Sequence, residues 1–152
     1  MNILRLIPVS WFSSDMDIEL NGEIFAHLRF GGRGKAGSIL IAGSHYDVFK
    51  ENWYGSSFRL QCGDEQLCRS EKPRFLSAET EFIFEGDKYT VKSRGSTILL
   101  RNGQQIGKVA SEGFFTRRLR AELPSDLNPL PCGFMLWLDV RKRKDDSASA
   151  AG

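Results

Sequence analysis

The sequence has little of what metal-binding, redox and membrane-spanning proteins use. Its 152 residues include 2 histidines and 3 cysteines, and the cysteines lack the close spacing of a zinc site. The apolar run from Phe134 to Leu138 is far shorter than the roughly 18 to 20 residues of a membrane-spanning helix. We therefore expect no metal, no cofactor and no transmembrane span.

Leader and charge patterns are equally weak. Residues 1–5 do not begin the charged-then-apolar pattern of a signal peptide, and the odd number of cysteines argues against a disulfide framework. A reducing cytoplasm is the expected location. The net charge of +2 and the pI of about 8.5 are too small to predict a nucleic-acid partner. Any electrostatic function must come from local clusters of charge.

Alternating polar and apolar residues joined by turn residues predict β-hairpins. Residues 17–20 and 23–30 alternate on either side of Asn21-Gly22, a pair that tolerates the positive φ angles of a tight turn. The same reasoning predicts hairpins across residues 85–88 and across Asn102-Gly103. Further strands are expected at residues 38–42, 45–49, 56–60 and 114–123. With 15 glycines and 11 phenylalanines, the composition is typical of a turn-rich β protein.

The C-terminal segment 129–144, PLPCGFMLWLDVRKRK, predicts a helix that is apolar on all sides. Such a helix belongs inside other structure, proline is tolerated in a first turn, and Asp126 or Asn128 is expected to cap it. A weak repeat between residues 56–63 and 96–103 suits a sheet that closes on itself. We predict one domain over 1–144, mainly β: an antiparallel, closed or nearly closed β-barrel around a hydrophobic C-terminal α-helix. A disordered tail is expected over 145–152.

The hairpin series at 89–91, 97–100 and 105–109, followed by the apolar segment 130–140, resembles the tubby-like superfamily, which includes LURP-one-related proteins and phospholipid scramblases. The resemblance implies a closed barrel of about twelve strands around a hydrophobic C-terminal helix, although a smaller or partly open barrel stays an alternative. It also implies binding, with phosphoinositide membranes as a partner class, more than catalysis. Scrambling is not expected, because the acidic calcium-loop pattern and the palmitoylated cysteine cluster are absent.

Clustered cations are the main candidate site. Three arginines precede the helix and a run of four basic residues ends it, so we predict an anion-binding site for a phospholipid headgroup or an acidic protein. The alternative is that the second cluster only complements the helix dipole. A helix threading the barrel puts the clusters near opposite ends unless the connecting segment folds back. The predicted site residues are Arg117, Arg118, Arg120, Arg141 and Arg143, beside Lys142 and Lys144.

The rival reading is a small-molecule enzyme with a barrel-end pocket around His45 and Asp47. The run Ser44-His45-Tyr46-Asp47 invites it, but strand alternation is expected to turn His45 away from both Ser44 and Asp47. His27 is read as a partner in sheet packing. We assign no catalytic residue.

Other motifs have mainly structural interpretations. The glycine-rich loop 31–37 does not fit a P-loop and is read as a mobile hairpin loop, whose Arg33 and Lys35 add to anion attraction. Trp53 and Tyr54 are a turn-packing pair or a stacking platform. Cys62 and Cys68 are expected to face each other across a hairpin as packed thiols. The sequence thus predicts a soluble, non-enzymatic binding or scaffold module.

Overall fold

The computed structural model describes residues 2–51, 57–73, 78–113 and 117–151, with the backbone alone for 148–151. These residues form twelve short strands and one helix. The strands are β1 (Asn2–Pro8), β2 (Met16–Leu20), β3 (Glu23–Phe30), β4 (Gly37–Ile41), β5 (Ser44–Lys50), β6 (Phe58–Cys62), β7 (Glu65–Arg69), β8 (Glu79–Phe84), β9 (Asp87–Arg94), β10 (Ser96–Arg101), β11 (Gln104–Ser111) and β12 (Leu119–Leu123), and the helix is α1 (Pro129–Ala151).

The strands form one antiparallel sheet that almost closes on itself. Strands that follow each other in the sequence are paired, except β7 and β8, which are the two edges of the sheet. The first and last strands, β1 and β12, also pair with each other. A two-way backbone bridge between Glu71 and Glu81, with N–O distances of 2.7 and 2.8 Å, joins these edges. The predicted fold class, a nearly closed antiparallel barrel, is confirmed. Twelve strands fit because each is short and many turns have two residues.

Successive antiparallel strands place their connections alternately at the two ends of the barrel. We call one end the turn end, because it holds the two-residue turns at 21–22, 42–43, 63–64, 85–86 and 102–103, together with segment 124–128. The opposite end, the loop end, holds the connections 9–15 and 31–36, the short turn at Gly95, and the described residues 51, 57, 70–73, 78, 112–113 and 117–118 of the other three connections. Strand β12 runs towards the turn end, so α1 starts there and runs back to the loop end.

Helix α1 fills the barrel. All residues from Leu130 to Val140, three full turns, are buried on every side. Asn128 is the N-cap: its Oδ1 accepts a hydrogen bond from the backbone N–H of Leu130 at 3.1 Å, as one of the two predicted caps. The hydrophobic helix enclosed by sheet is therefore the centre of the core.

The helix continues beyond residue 144, where a disordered tail was expected. It runs to Ala151. Two ion pairs with i,i+4 spacing join consecutive turns here, Arg141–Asp145 at 3.2 Å and Lys142–Asp146 at 3.0 Å. Such pairs stabilise exposed helix, and the sequence pattern that encodes them was overlooked in the prediction.

Trp137 holds the helix to the loop end of β3 and β4. Its Nε1–H donates to the carbonyl oxygen of Arg29 at 2.9 Å, and its ring stacks on Phe30 and meets Phe58 edge-on, with centroids 5.1 and 5.0 Å away. A Cβ on Gly37 would lie 2.1 Å from that same carbonyl oxygen and 2.8 Å from Trp137 Nε1. Gly37 is therefore required by close approach of backbone and indole, whatever its φ angle.

Asp139 is a fully buried carboxylate on the helix. It accepts hydrogen bonds from the hydroxyls of Thr97 and Ser93 on the wall, at 2.5 and 3.1 Å, and from Arg143 at 2.9 Å. The three donors compensate the loss of water, so the charge is accommodated inside the barrel. Asp139 thus fixes the register between helix and wall.

The weak repeat corresponds to two similar bulged hairpins. Strand pairs β6–β7 and β10–β11 each have a register shift shortly before the turn, between Leu60 and Gln61 and between Leu99 and Leu100. Gly63 is the first residue of its turn whereas Gly103 is the second, which accounts for the one-residue slip in the sequence match. Bulges sharpen the local twist that a closed barrel needs.

Candidate anion-binding site

The two ends of the barrel differ in charge. The turn-end connections contain the acids Asp64, Glu85 and Asp126 and neither lysine nor arginine. In the described part of the loop end, basic residues outnumber acidic ones. With the strand ends included, the basic set is Arg33, Lys35, Lys50, Arg69, Lys72, Arg94, Arg117, Arg118, Arg141, Lys142, Arg143 and Lys144, and the acidic set is Asp15, Glu51, Glu71, Glu79, Glu112, Asp145 and Asp146. The net charge of the chain is therefore small although positive charge is concentrated at the loop end and the turn-end connections are acidic.

A surface pocket of about 390 Å³ at the loop end brings the two predicted cationic clusters together. Arg117, from the segment before β12, lines it with Arg143 and Lys144 of α1. We call it the serine pocket, because Ser14, Ser111 and Ser147 also line it, with Met16, Leu119 and Val140. Of the two arrangements left open by the sequence, the structure has the one in which the connecting segment folds back: segment 124–128 reverses the chain, and α1 runs back beside the start of β12.

Arg117 holds the connection between β1 and β2. Its guanidinium donates hydrogen bonds to the backbone carbonyl oxygens of Ser10, Trp11 and Ser13, at 2.6, 3.0 and 2.7 Å. Carbonyl acceptors satisfy the N–H groups but carry no net charge. Arg117 therefore orders the loop, and no acidic side chain among the described residues pairs with its positive charge at the serine pocket.

Arg143 and Lys144 differ in their partners. Arg143 donates to the buried carboxylate of Asp139 and to Thr97 Oγ1 at 3.2 Å, so its charge is paired. Lys144 is exposed, and within the described ranges it has no acidic partner. The serine pocket thus has two unpaired positive charges, those of Arg117 and Lys144, and hydroxyl groups that can donate to an anion.

A second pocket, of about 490 Å³, lies on the other side of the end of α1. We call it the lysine pocket; its walls are Gly31, Gly34, Lys35, Ala36, Phe49, Lys50, Arg59, Arg141 and Lys144. Most of its cations are paired: Lys35 with Asp47 at 2.8 Å, Arg59 with Glu51 at 3.3 Å and Arg141 with Asp145. Lys50 and Lys144 have no acidic partner among the described residues. Lys144 is shared by both pockets.

Arg118 and Arg120 line neither of these pockets. Arg120 projects from the outer face of β12, where it pairs with Glu122 at 3.8 Å, and Arg118 is exposed beside it. Glu112 accepts two hydrogen bonds from Arg5, at 2.8 and 3.0 Å. The pKa of Glu112 is held below its ordinary value, chiefly by the hydrogen bonds from Arg5. Partial burial tends to raise this pKa, and the charges of Arg118 and Arg120 lower it slightly. The five predicted arginines therefore do not share one site: Arg117 and Arg143 line the serine pocket, Arg141 lines the lysine pocket, and Arg118 and Arg120 line neither.

His45 and Asp47 are in contact, so the expectation that the strand turns them apart is wrong. Residues two apart share a face of a strand, and His45 Nε2 lies 2.9 Å from Asp47 Oδ1. Burial tends to raise the pKa of Asp47, but hydrogen bonds from Lys35 and His45 outweigh it and hold the pKa below its ordinary value. The structure records no hydrogen bond between Ser44 and His45 in the described chain, and without that bond no Ser–His–Asp relay is assembled.

The remaining predicted positions have structural surroundings. His27 pairs across the strands with Asp17, 2.6 Å from Nδ1 to Oδ1, as a cross-strand partner. Cys62 is exposed opposite Glu65, whereas Cys68 is buried opposite Leu60, so the expected face-to-face contact is wrong. Burial raises the pKa of Cys68 and of Cys132 to about 12, which keeps both thiols protonated and unreactive.

Two predictions lie outside the described residues: the Trp53 and Tyr54 pair, and the strand start expected at 114–116. The site has one feature that sequence reasoning missed. Trp11 and Phe12, in the loop held by Arg117, are 81% and 96% exposed. Their signal in the sequence was an adjacent aromatic pair bordered by serines, outside any alternating strand.

No family model, no curated protein and no solved structure matches this chain. In the described residues no helix is long and apolar enough to cross a membrane. The described side chains also contain no group of three or more histidine, cysteine or acidic residues placed to hold a metal ion. The function therefore has to be argued from the geometry of the loop end.

Proposed function

We propose that this domain is a non-enzymatic binding module that takes an anionic partner at the loop end of its barrel. The observation that carries the proposal is the serine pocket, where Arg117 lies beside Arg143 and Lys144. In the sequence, β12, segment 124–128 and the enclosed part of α1 lie between them. Folding has assembled like charges at one place, which costs free energy unless an anion neutralises them. Some other barrels bind a ligand in their interior, but here α1 fills that space.

The charge distribution adds a second argument. Uncompensated cations at Arg117, Lys144 and Lys50 lie around the end of α1, and the acidic connections lie at the opposite end of the barrel. A polar molecule of this kind turns its basic end towards an anionic partner before contact. The resemblance to the tubby-like superfamily, supported by twelve strands around a C-terminal helix, is part of the same proposal.

Removing Lys50 and Lys144, which have no acidic partner among the described residues, tests the proposal without disturbing the fold. Lys50→Gln with Lys144→Gln should weaken binding to phosphatidylserine vesicles or to immobilised polyglutamate about thirtyfold, since each cation near an anionic surface contributes about 1 kcal/mol. The matched control is Lys88→Gln with Lys108→Gln, which removes the same charge from the barrel wall. Binding measured by co-sedimentation should also fall as salt is added.

Two outcomes contradict the proposal. One is that the wild-type chain binds neither probe at low salt. The other is that the control pair weakens binding as much as the loop-end pair, because net charge alone would then explain the effect. Replacing all five predicted arginines with glutamine would be a poorer test, since Arg117 and Arg143 also hold the structure together.

A further inference from the structure

Two neighbouring aromatic side chains project from the loop end without packing on the rest of the chain. Trp11 is 81% exposed and Phe12 is 96% exposed, and Val9 beside them is 48% exposed. The other exposed apolar side chains, such as Ile24 at 51% and Ile83 at 64%, are single residues on the barrel wall. Single exposed apolar residues are ordinary, whereas a contiguous aromatic tip marks an interaction site.

This tip is built and held in place. Arg117 donates to the carbonyl oxygens of Ser10, Trp11 and Ser13, and the backbone N–H of Val9 donates to the carbonyl oxygen of Asp15 at 3.0 Å. Ser13 Oγ also accepts from the N–H of Asp15 at 3.0 Å. These hydrogen bonds order the backbone of the segment, while both rings face outwards. We call residues 9–13 the aromatic loop.

The aromatic loop lies beside the uncompensated charge. The same Arg117 lines the serine pocket, and Ser14, directly after the loop, also lines it together with Lys144. From the serine pocket the positive charge continues across the end of α1 to Lys50 in the lysine pocket. The combination is a projecting apolar tip next to a broad basic surface.

We propose that the aromatic loop inserts Trp11 and Phe12 into the interface of an anionic lipid bilayer, while the basic residues of the loop end contact the headgroups. This inference rests on the proposed function and names its partner. Indole and phenyl rings favour the boundary between headgroups and acyl chains. Charge spread across a whole barrel end fits a flat, extended anionic surface better than it fits one short acidic peptide. Anchoring by an aromatic tip plus cations is the two-signal arrangement of reversible membrane binding.

The test compares aromatic variants on vesicles of phosphatidylcholine with phosphatidylserine. Trp11→Ser with Phe12→Ser should lower the partition constant roughly 10- to 100-fold, because apolar surface is no longer removed from water. The matched control, Ile24→Ser with Ile83→Ser, removes two exposed apolar side chains elsewhere and should leave binding within about twofold of wild type. Both variants change exposed residues, so each should keep the thermal midpoint of the wild type.

A second readout reports insertion itself. Brominated acyl chains should quench tryptophan fluorescence of the wild-type chain on these vesicles. Trp11→Phe keeps an aromatic ring, so it should remain bound while that quenching is lost. The chain has two other tryptophans. Trp137 gives no such signal, because it is fully buried in the barrel, and Trp53, which lies outside the described residues, is replaced by Phe in both chains that are compared.

The outcomes separate this inference from the proposed function. If Trp11→Ser with Phe12→Ser binds vesicles as the wild type does, or if quenching persists in Trp11→Phe, insertion is overturned while the basic site stands. If the aromatic variant loses binding to polyglutamate as strongly as to vesicles, the loop contacts a protein and the bilayer is overturned. Failure of the wild type on both probes overturns the two proposals together.

Discussion

At the turn end of the barrel, pairs such as Asn21-Gly22 and Asn102-Gly103 connect neighbouring strands with positive φ angles at both residues. At the loop end, apart from the short turn at Gly95, the connections are longer, and this end holds the basic residues, two surface pockets and the aromatic loop. Turn residues at the first end have little freedom to vary, because their φ angles and the sheet register depend on them. The loop end carries side chains that the barrel itself does not need.

The comparison assigns different physical roles to the two ends. Short turns at one end set which residues oppose each other, and so keep the apolar face of every strand directed at α1. Loops at the other end tolerate charge and exposed aromatic rings, since they lie outside the sheet. One place departs from this division, because Trp137 ties α1 to β3 and β4 at the loop end.

Glycine-to-alanine substitutions at the two ends give the largest expected difference. Gly37→Ala should lower the free energy of unfolding by at least about 3 kcal/mol, because its Cβ would collide with the backbone oxygen of Arg29 and with the Trp137 indole. Gly43→Ala, in a turn with φ of 76° and nothing within 4 Å of its Cβ, should cost about 1 to 2 kcal/mol from backbone strain. Urea unfolding of both variants measures the pair. Equal losses would contradict a clamp at the loop end.

Two carboxylates on α1 allow its enclosed part to be compared with its exposed end. Asp139→Asn should cost about 2 to 3 kcal/mol, because the buried hydrogen bonds weaken and Arg143 loses its charged partner. Asp145→Asn removes an exposed pair with Arg141 and should cost about 0.3 to 0.5 kcal/mol. Thermal unfolding followed by circular dichroism distinguishes these values. A small loss in Asp139→Asn would mean that this network does not hold the helix in register.

Acid sensitivity should be the smallest effect and should be similar at both ends. The pKa of Glu112 is lowered mainly by Arg5, and the pKa of Asp87 at the turn end is lowered mainly by hydrogen bonds from Asn102 and Arg101. A carboxylate with a lowered pKa stabilises the fold above its ordinary pKa, 4.5 for Glu112 and 3.8 for Asp87, and loses this effect as the pH falls through the folded-state pKa.

Glu112→Gln and Asp87→Asn should therefore each be slightly less stable than wild type at neutral pH. The difference should disappear as the pH is lowered below those ordinary values, because protonated wild type and variant are then equivalent. Unfolding curves across this acidic range test the expectation. A difference that grows on acidification would reverse the sign of the linkage and contradict it.

Elements with strong local chemistry were predictable from the sequence. The Asn-Gly hairpins, the start of α1 and the all-round apolar helix each follow from a few neighbouring residues, and together they indicate an enclosed helix in an antiparallel barrel. Strand β1 was missed, because its partners are β2 and β12 and the latter pairing is a contact between the two ends of the chain. Local patterns carry no information on such contacts.

The candidate site was predictable only in part. Clustered cations pointed to Arg117 and Arg143, but their meeting in one pocket depends on the reversal at residues 124–128. The pairing of Arg143 with Asp139 was hidden as well, because it depends on a buried network in which Asp139 also accepts hydrogen bonds from Ser93 of β9 and Thr97 of β10. Which cations stay unpaired is a property of the tertiary structure, and those cations carry the proposal.

Helix α1 follows all twelve strands in the chain and is also the centre of the core, so the strands are synthesised before the helix that they enclose. When the nascent chain has emerged only as far as Pro124, the apolar face of the sheet is not yet covered by α1. Strand β1 also stays without its partner β12 while the ten strands between them are synthesised. Such late, long-range pairing is slow and prone to aggregation. The barrel therefore cannot complete its core until residues 130–140 leave the exit tunnel, and the nascent strands need protection until then.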